Sequence, residues 1–307
     1  MNNNKLHKIM IETECINYLK NILCDNFEIV RLFDGCKADI AIRPKNISSN
    51  VDEWIGIQIK STEKKVKNNN SQAYKFDLSK DYENYIIICM CLEDKNSWVF
   101  ENKLVSHIKS VLTIGNNSKY NKYKTENNIV SILENYYKNN LVKKFLFNEL
   151  DIPQSKNTKT EYEYRKKREE MISFLNFINN EMEGLVYDFK IGNKKIQEKV
   201  GGHPHKNTDT YHFSLSKMNG RVNGKKKRQT YEIGDCDFYW LNCKNSSNFY
   251  VVPENILIEK GYLGNADGKI KSLTISKTNK LTFWTKDYLF NYENLNKEKL
   301  CEILLYP

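Results

Sequence analysis

Between residues 8 and 24, in HKIMIETECINYLKNIL, apolar positions recur at three- and four-residue spacing: Cys15, Ile16, Leu19, Ile22 and Leu23 form one stripe. That period predicts an amphipathic helix with the stripe turned to a core. Glu12 lies on the same stripe, one turn ahead of it, whereas Glu14 points to the polar side with Tyr18 and Asn21. A carboxylate at the end of a core-facing stripe is either idle at its rim or aimed into a site. The period then changes to two. FEIVRL (27–32), ADIAIR (38–43) and WIGIQIKS (54–61) read as strands, with Asp34-Gly35 as a turn.

The last two of these strands are expected to pair antiparallel across the polar segment PKNISSNVDE. Setting Asp39 opposite Gln58 puts Ile40 opposite Ile57 and Ile42 opposite Ile55, so that one face is almost wholly aliphatic. The other face then collects Asp39, Ala41, Gly56, Gln58 and Lys60, because side chains alternate along a strand. The small Ala41 and Gly56 are expected to leave space beside the polar group. A carboxylate held there requires a cation. Lys60 supplies part of that charge, and a metal ion the rest. Asp39, the Gln58 carbonyl oxygen and Glu12 are hard oxygen donors of the kind Mg²⁺ (or Mn²⁺) takes. Such an ion polarises a phosphate and lowers the pKa of a water. Lys60 would orient that water and offset charge in the transition state.

The chain then repeats itself. IQIK (57–60) recurs as IQEK (196–199), and YKFDLSK (74–80) as YHFSLSK (211–217). NYIIICMCLEDKNSWVFENKLV (84–105) matches DFYWLNCKNSSNFYVVPENILI (237–258) in pattern, and SVLTI (110–114) matches KSLTI (271–275). Four matches in one order imply two copies of one αβ unit. The first is assigned to 1–150 and the second to 162–307, with the polar DIPQSKNTKTE (151–161) as linker. Residues 218–233, with Gly220 and Gly224, read as a polar basic loop inserted in the second copy.

In that copy LVYDFKI (185–191), Gly192-Asn193 and KKIQEKV (194–200) predict a hairpin with a two-residue turn. Its register sets Asp188 opposite Gln197, with Lys199 on the same face. Glu198 replaces Ile59 and spoils the aliphatic face. A helix expected over about 164–180 puts Met171 at the place of Glu12, with Glu170 poorly aimed as the nearest acid. No counterpart of FEIVRL is evident. The second copy is therefore expected chiefly to bind nucleic acid, with Asp188, Gln197 and Lys199 as a residual site.

Composition narrows the partner. The 307 residues carry a net charge of +10, the excess a polyanion attracts by counterion release. Two basic clusters are the natural contacts: Arg165, Lys166, Lys167 and Arg168, and Lys225, Lys226, Lys227 and Arg228. No run of apolar residues is long enough to span a membrane, and MNNNKLHKIM lacks the apolar core of a signal peptide. A soluble, intracellular protein (cytoplasm or nucleus) is expected. The eight cysteines show no CxxC pair, and Cys89 and Cys91 in YIIICMC read as buried free thiols. His203, His205 and His212 read as loop histidines without the spacing of an HNH centre. No GxxxxGKS phosphate loop is present.

The set Glu12, Asp39, Gln58 and Lys60 resembles the PD-(D/E)XK nuclease superfamily, in which a helix glutamate, a strand aspartate and an (E/D)xK strand recur and a QxK variant is well populated. YVVPENIL (250–257) also looks like an aromatic-Val-Pro strand of some members. Two departures stand out: Ala38 precedes Asp39 where the family has Pro, and Gln58 replaces an acid, which weakens metal affinity unless Glu12 contributes. The resemblance implies an α/β fold of two tandem restriction-endonuclease-like units, each a mixed central sheet flanked by helices. It implies a Mg²⁺-dependent endodeoxyribonuclease acting on double-stranded or branched DNA, as a monomer serving as a pseudo-dimer or as a homodimer. The rival expectations are a catalytically silent DNA-binding protein that kept the fold, and a Holliday-junction-type resolvase.

Overall fold

The apolar stripe at the start of the chain becomes α1 (Asn3–Leu23), which buries Cys15, Ile16, Leu19 and Leu23. Each such side chain contributes roughly 1.5–3 kcal/mol when taken out of water. The computed structural model describes residues 3–305 except 34, 48–50, 69–70, 79–81, 109, 126–127, 181–185, 203–209, 223–224, 265–271 and 277–279. The chain divides into two compact units, Leu6–Lys159 and Thr160–Pro307, with Met1–Lys5 grouped with the latter. No helix of the described residues is long and apolar enough to cross a membrane.

In the first unit α1 leads into β1 (Phe27–Arg31), β2 (Ile40–Pro44) and β3 (Ile55–Thr62), each antiparallel to the one before. The β2–β3 register sets Ile40 opposite Ile57, Ala41 opposite Gly56 and Ile42 opposite Ile55, as the alternation requires. β4 (Val66–Asn68), β5 (Ser71–Asp77) and β8 (Val111–Gly115) form a small antiparallel sheet in the order β4-β5-β8. β6 (Ile86–Cys91) lies parallel to β3, and β7 (Ser97–Glu101) closes the main sheet antiparallel to β6, giving β1-β2-β3-β6-β7. The short α2 (Asn102–Val105) follows β7. One face of the main sheet, with Ile40, Ile42, Ile55, Ile57, Ile59, Ile86 and Ile88, packs on α1 and α3 (Ile129–Lys138). The other face joins Ala41, Ile87 and Cys89 to an aromatic cluster around Tyr74, Phe76, Trp98 and Phe100. Cys89 and Cys91 are buried free thiols.

The stretch 151–161, expected as a polar linker, is ordered. After α4 (Phe147–Leu150), Asp151 is buried and accepts from the Phe33 N–H at 3.3 Å, and the Gln154 N–H donates to the Gly35 carbonyl. At Lys156 the chain enters α5 (Lys156–Met171), in which the division between the units falls.

The helix expected over about 164–180 thus begins earlier and stops at Met171. Beyond it, Phe177–Asn179 is a strand, β9, antiparallel to β10 (Phe189–Ile191). β9 is the counterpart of β1 that the sequence pattern hides, because three residues are too few to show a period. Gly192, with φ +57°, allows the tight turn from β10 into β11 (Lys194–Gly201). β12 (Thr210–Ser214) precedes β13 (Ser216–Val222) and β14 (Lys225–Thr230), an antiparallel pair where a basic loop was expected. β15 (Phe238–Cys243) runs parallel to β11, as β6 does to β3, and β16 (Asn248–Pro253) is antiparallel to β15. After α6 (Glu254–Glu259) come β17 (Ser272–Ser276), β18 (Leu289–Asn291) and α7 (Lys297–Leu305). The second main sheet has the order β18-β16-β15-β11-β10-β9.

The two units match in the register of their paired strands. Gln58 and Gln197 hold equivalent places in the parallel pairs, against Ile87 and Tyr239. Tyr74 faces Ile114 and Phe76 faces Leu112 in β5–β8; Tyr211 faces Ile275 and Phe213 faces Leu273 in β12–β17. The architecture is mixed α/β, with two main mixed sheets flanked by helices.

Candidate functional site

Asp39 stands just ahead of β2, where the pairing with β3 begins. Its N–H donates to the Ile57 carbonyl at 2.9 Å, which fixes the backbone. Its Oδ2 accepts from the Ile59 N–H at 2.6 Å and from Gln58 Nε2, and Nε2 also donates to the Ile59 carbonyl at 3.2 Å. Gln58 is 7% exposed, so this clamp is largely shielded from water. Burial, with the nearby Glu12 carboxylate adding to it, pushes the Asp39 carboxyl up to about 7. The Ile59 N–H, Lys60 and Arg31 act in the opposite sense. Glu12 is therefore electrostatically coupled to Asp39, while Glu14 is exposed to solvent. Lys60 Nζ lies 4.7 Å from the centre of the buried Tyr82 ring. A cation over an aromatic face is held by the ring's negative quadrupole. The four predicted residues are brought together, and Tyr82 joins them.

Two details differ from expectation. The space anticipated beside Ala41 and Gly56 is filled: a Cβ added at Gly56 would meet the Tyr85 ring at 2.6 Å and Leu150 at 2.9 Å. Gly56 is small because an aromatic ring covers it. And Gln58 turns its nitrogen to Asp39, so for its amide oxygen to share a cation with Asp39 the terminal amide must rotate by half a turn. Among the described residues no group of three or more His, Cys, Asp or Glu stands ready to hold a metal ion. The donor set of Asp39, Glu12 and amide or backbone carbonyls nonetheless fits a hard cation such as Mg²⁺, since two coupled carboxylates gain from a positive charge between them.

The second unit repeats this geometry. The Asp188 N–H donates to the Ile196 carbonyl at 2.9 Å, and Asp188 Oδ2 accepts from the Glu198 N–H at 2.6 Å and from Gln197 Nε2. Gln197 Nε2 donates to the Glu198 carbonyl at 3.1 Å. Protein packing, opposed by Lys199 and reinforced by Glu198, leaves the Asp188 carboxyl raised to about 6. Asp188 still presents surface to solvent, so this push counts for less than the one at Asp39. Burial lowers the Lys199 ammonium, but Tyr231, Asp188 and Glu161 outweigh it and the net shift is upward. Lys199 donates to the Tyr231 hydroxyl and lies 5.4 Å from that ring's centre.

In the second unit the acid whose field reaches Lys199 is Glu161. Met171 packs against the core, while Glu161 is close enough to Lys199 for each to shift the other's charge. The missed signals were short. E-T-E at 12–14 matches E-Y-E at 161–163, and Tyr82-Glu83 matches Tyr231-Glu232. The helix register expected from the apolar stripe hid the first match.

The basic clusters fare unequally. Arg168 is 1% exposed and no surface contact: Nε pairs with Glu198 at 3.0 Å, a second nitrogen donates to Asn179, and the guanidinium lies 3.7 Å over Phe189. The helix turns it inward because it lies one turn past the buried Tyr164. Arg165 pairs with Glu169 at 2.7 Å, Lys166 reaches Glu169 at 3.9 Å, and Lys167 lies over the Tyr292 ring. The backbone of Lys225, Lys226, Lys227 and Arg228 belongs to β14; their side chains lie outside the described residues, as do His203 and His205. His212 sits on β12, its ring Nδ1 3.0 Å from Thr274 Oγ1.

No family model matches the sequence, and no curated protein matches it. Among solved structures the chain is similar to a bacterial homing endonuclease, I-Ssp6803I, at 17% identity and a TM-score of 0.33, over 41% of this chain and 82% of that one. It is also similar to MepB, at 15% identity and a TM-score of 0.30, over 43% of this chain and 99% of that one.

Proposed function

We propose that the first unit is a divalent-cation-dependent endodeoxyribonuclease, with Asp39, Glu12, Gln58 and Lys60 as its centre. The observation that carries this reading is the carboxylate of Asp39, clamped by the Ile59 N–H and the Gln58 amide beside Lys60 and within the field of Glu12. A structural ion pair needs no second acid beside the first. Asp39 and Glu12 would hold the cation, which would withdraw charge from the scissile phosphate and make a water more acidic. Lys60, steadied over Tyr82, offsets the negative charge that grows on the phosphate oxygens as water adds and the leaving oxygen departs. The net charge of +10 suits a DNA substrate.

The test is purified full-length protein on supercoiled plasmid and on branched DNA with Mg²⁺ or Mn²⁺. Removing one such charge-stabilising donor lowers rates by roughly 10²–10³, so Lys60→Ala is expected to lose that much nicking by the first centre. Preference for four-way junctions over linear duplex would mark a resolvase. A second reading, a silent DNA-binding protein, is favoured by the nitrogen of Gln58, and not an acid oxygen, facing Asp39. Salt-sensitive DNA binding with no nicking under any divalent ion would establish that reading and exclude the first.

A further inference from the structure

Unit two was expected to have lost its acid, and the structure supplies one. Glu161 precedes Asp188 by 27 residues, as Glu12 precedes Asp39. Each acid lies on the helix that leads into the unit's sheet, and each is felt electrostatically at the centre: Glu12 at Asp39, Glu161 at Lys199. The Asp–Gln–backbone clamp is reproduced to the atom, with 2.6 Å from the following N–H to Oδ2 in both units. A tyrosine from the Tyr-Glu pair carries the lysine in both.

One difference makes the second centre better suited to a polyanion. The β10–β11 register places Lys190 opposite Lys195, beside Asp188 and Gln197 on the site face. Unit one has Ala41 opposite Gly56 there, under Tyr85 and Leu150. Two half-exposed ammonium groups thus flank the second carboxylate where unit one has a packed aromatic lid. Each can hold a phosphate neighbouring the one attacked, which rationalises why a face that should be apolar in a purely structural copy carries cations.

Resting on the reading of unit one as a nuclease, we propose that Glu161, Asp188, Gln197 and Lys199, with Tyr231 positioning the lysine, form a second catalytic centre for phosphodiester hydrolysis. At this centre a water oxygen forms a bond to phosphorus while the bond from phosphorus to the leaving sugar oxygen breaks. One water proton stays on the new phosphomonoester or passes to solvent, and the departing oxygen takes one up, so that one water is consumed per strand cut. Lys199 is the group placed to counter charge on the phosphate, and Lys190 and Lys195 hold the strand.

The test uses the full chain and two measurements. In calorimetric titration with Mn²⁺ alone, Asp188→Asn or Glu161→Gln is expected to remove half of the ion uptake, and Asp39→Asn the other half. In plasmid nicking, Lys60→Ala is expected to keep between a tenth and a half of the wild-type rate, and adding Lys199→Ala to reduce the remainder by 100-fold or more. Circular dichroism of each variant, and the chemically milder Asp188→Asn and Glu161→Gln, separate loss of a site from loss of the fold. If Asp188→Asn leaves Mn²⁺ uptake unchanged, or if Lys60→Ala alone abolishes nicking, the second centre is overturned and the first stands. If the wild type neither takes up Mn²⁺ nor nicks DNA, the nuclease reading fails and the second centre with it.

Discussion

On the helix-facing side of the main sheet, the first unit buries Leu19, Ile59 and Met90 together in an aliphatic core. At the corresponding places the second unit has Arg168, Glu198 and Asn242; it buries the first and last fully and leaves the Glu198 side chain 10% exposed. Arg168 pairs with Glu198, Asn242 Nδ2 donates to Glu198 at 2.7 Å, the Tyr292 hydroxyl donates to Asn242, and Trp240 Nε1 donates to Tyr292. Three apolar side chains have become a connected polar chain without a change in strand order or register. The difference teaches that strand register is set by where side chains alternate, and that the chemistry on a face can be exchanged when most of a polar set finds partners, here all but the buried Arg168 Nη1. Glu198, which looked like damage to the second copy, is half of a compensated exchange.

That comparison can be broken at its strongest point. Arg168→Leu alone leaves the largely buried Glu198 carboxylate with Asn242 but without its cation, and is expected to cost the second unit about 3 kcal/mol. The triple variant Arg168→Leu, Glu198→Ile and Asn242→Met restores the residues of the first unit and is expected to recover most of the loss. Hydrogen exchange read separately in the two units, under urea, measures both. If the triple variant is as unstable as the single one, the exchange is not a local compensation.

The carboxylates give a second contrast. Without metal, Asp39 has its pKa raised from 3.8 to about 7, so the folded state binds the proton more tightly than the unfolded one. Stability is then full below pH ~4, falls as pH rises toward about 7, and stays reduced above it. Asp39→Asn is therefore expected to stabilise the metal-free first unit at pH 8 by about 2 kcal/mol, discounted for the solvent Asp39 still meets, and to give no gain at pH 4. Asp188, pushed only to about 6 and more open to water, should show the same sign with a smaller gain and a window that closes nearer pH 6. Denaturation of each variant at the two pH values, with EDTA present, is the measurement. Saturating Mn²⁺ should reverse the sign at Asp39, because a bound cation favours the charged carboxylate.

Smaller effects sharpen the difference in how the two site faces are covered. Gly56→Ala forces a methyl into the Tyr85 ring and is expected to cost about 1–3 kcal/mol. Lys195→Ala at the equivalent place should stay within about 0.5 kcal/mol, as surface substitutions usually do. Equal costs in thermal melts would mean that the second face is packed as the first is. Lys190→Ala should instead act on DNA binding. Removing one phosphate contact is expected to reduce the slope of log affinity against log salt by about 0.9, with stability unchanged.

The local alternation of apolar and polar residues determined much of this by itself. It set the β2–β3 and β10–β11 registers, because a slip of one residue would have turned the isoleucines to the wrong face. From those registers followed the meeting of Asp39 with Gln58 and of Asp188 with Gln197, and the four matched segments gave the duplication. What alternation could not reach was anything decided by contacts between distant segments. The strand β9 is too short to carry a period, and β13–β14 pairs residues whose composition reads as a loop. The burial of Arg168 depends on Glu198 lying 30 residues away. The place of Glu161 depends on the rotation of α5 against its sheet, which an apolar stripe gave wrongly because that stripe is itself interrupted by a buried arginine. Tyr82 and Tyr231 reach their lysines only after the chain has folded back across the sheet. The tertiary structure alone decided these, since electrostatic and packing partners far apart in sequence leave no periodic trace within it.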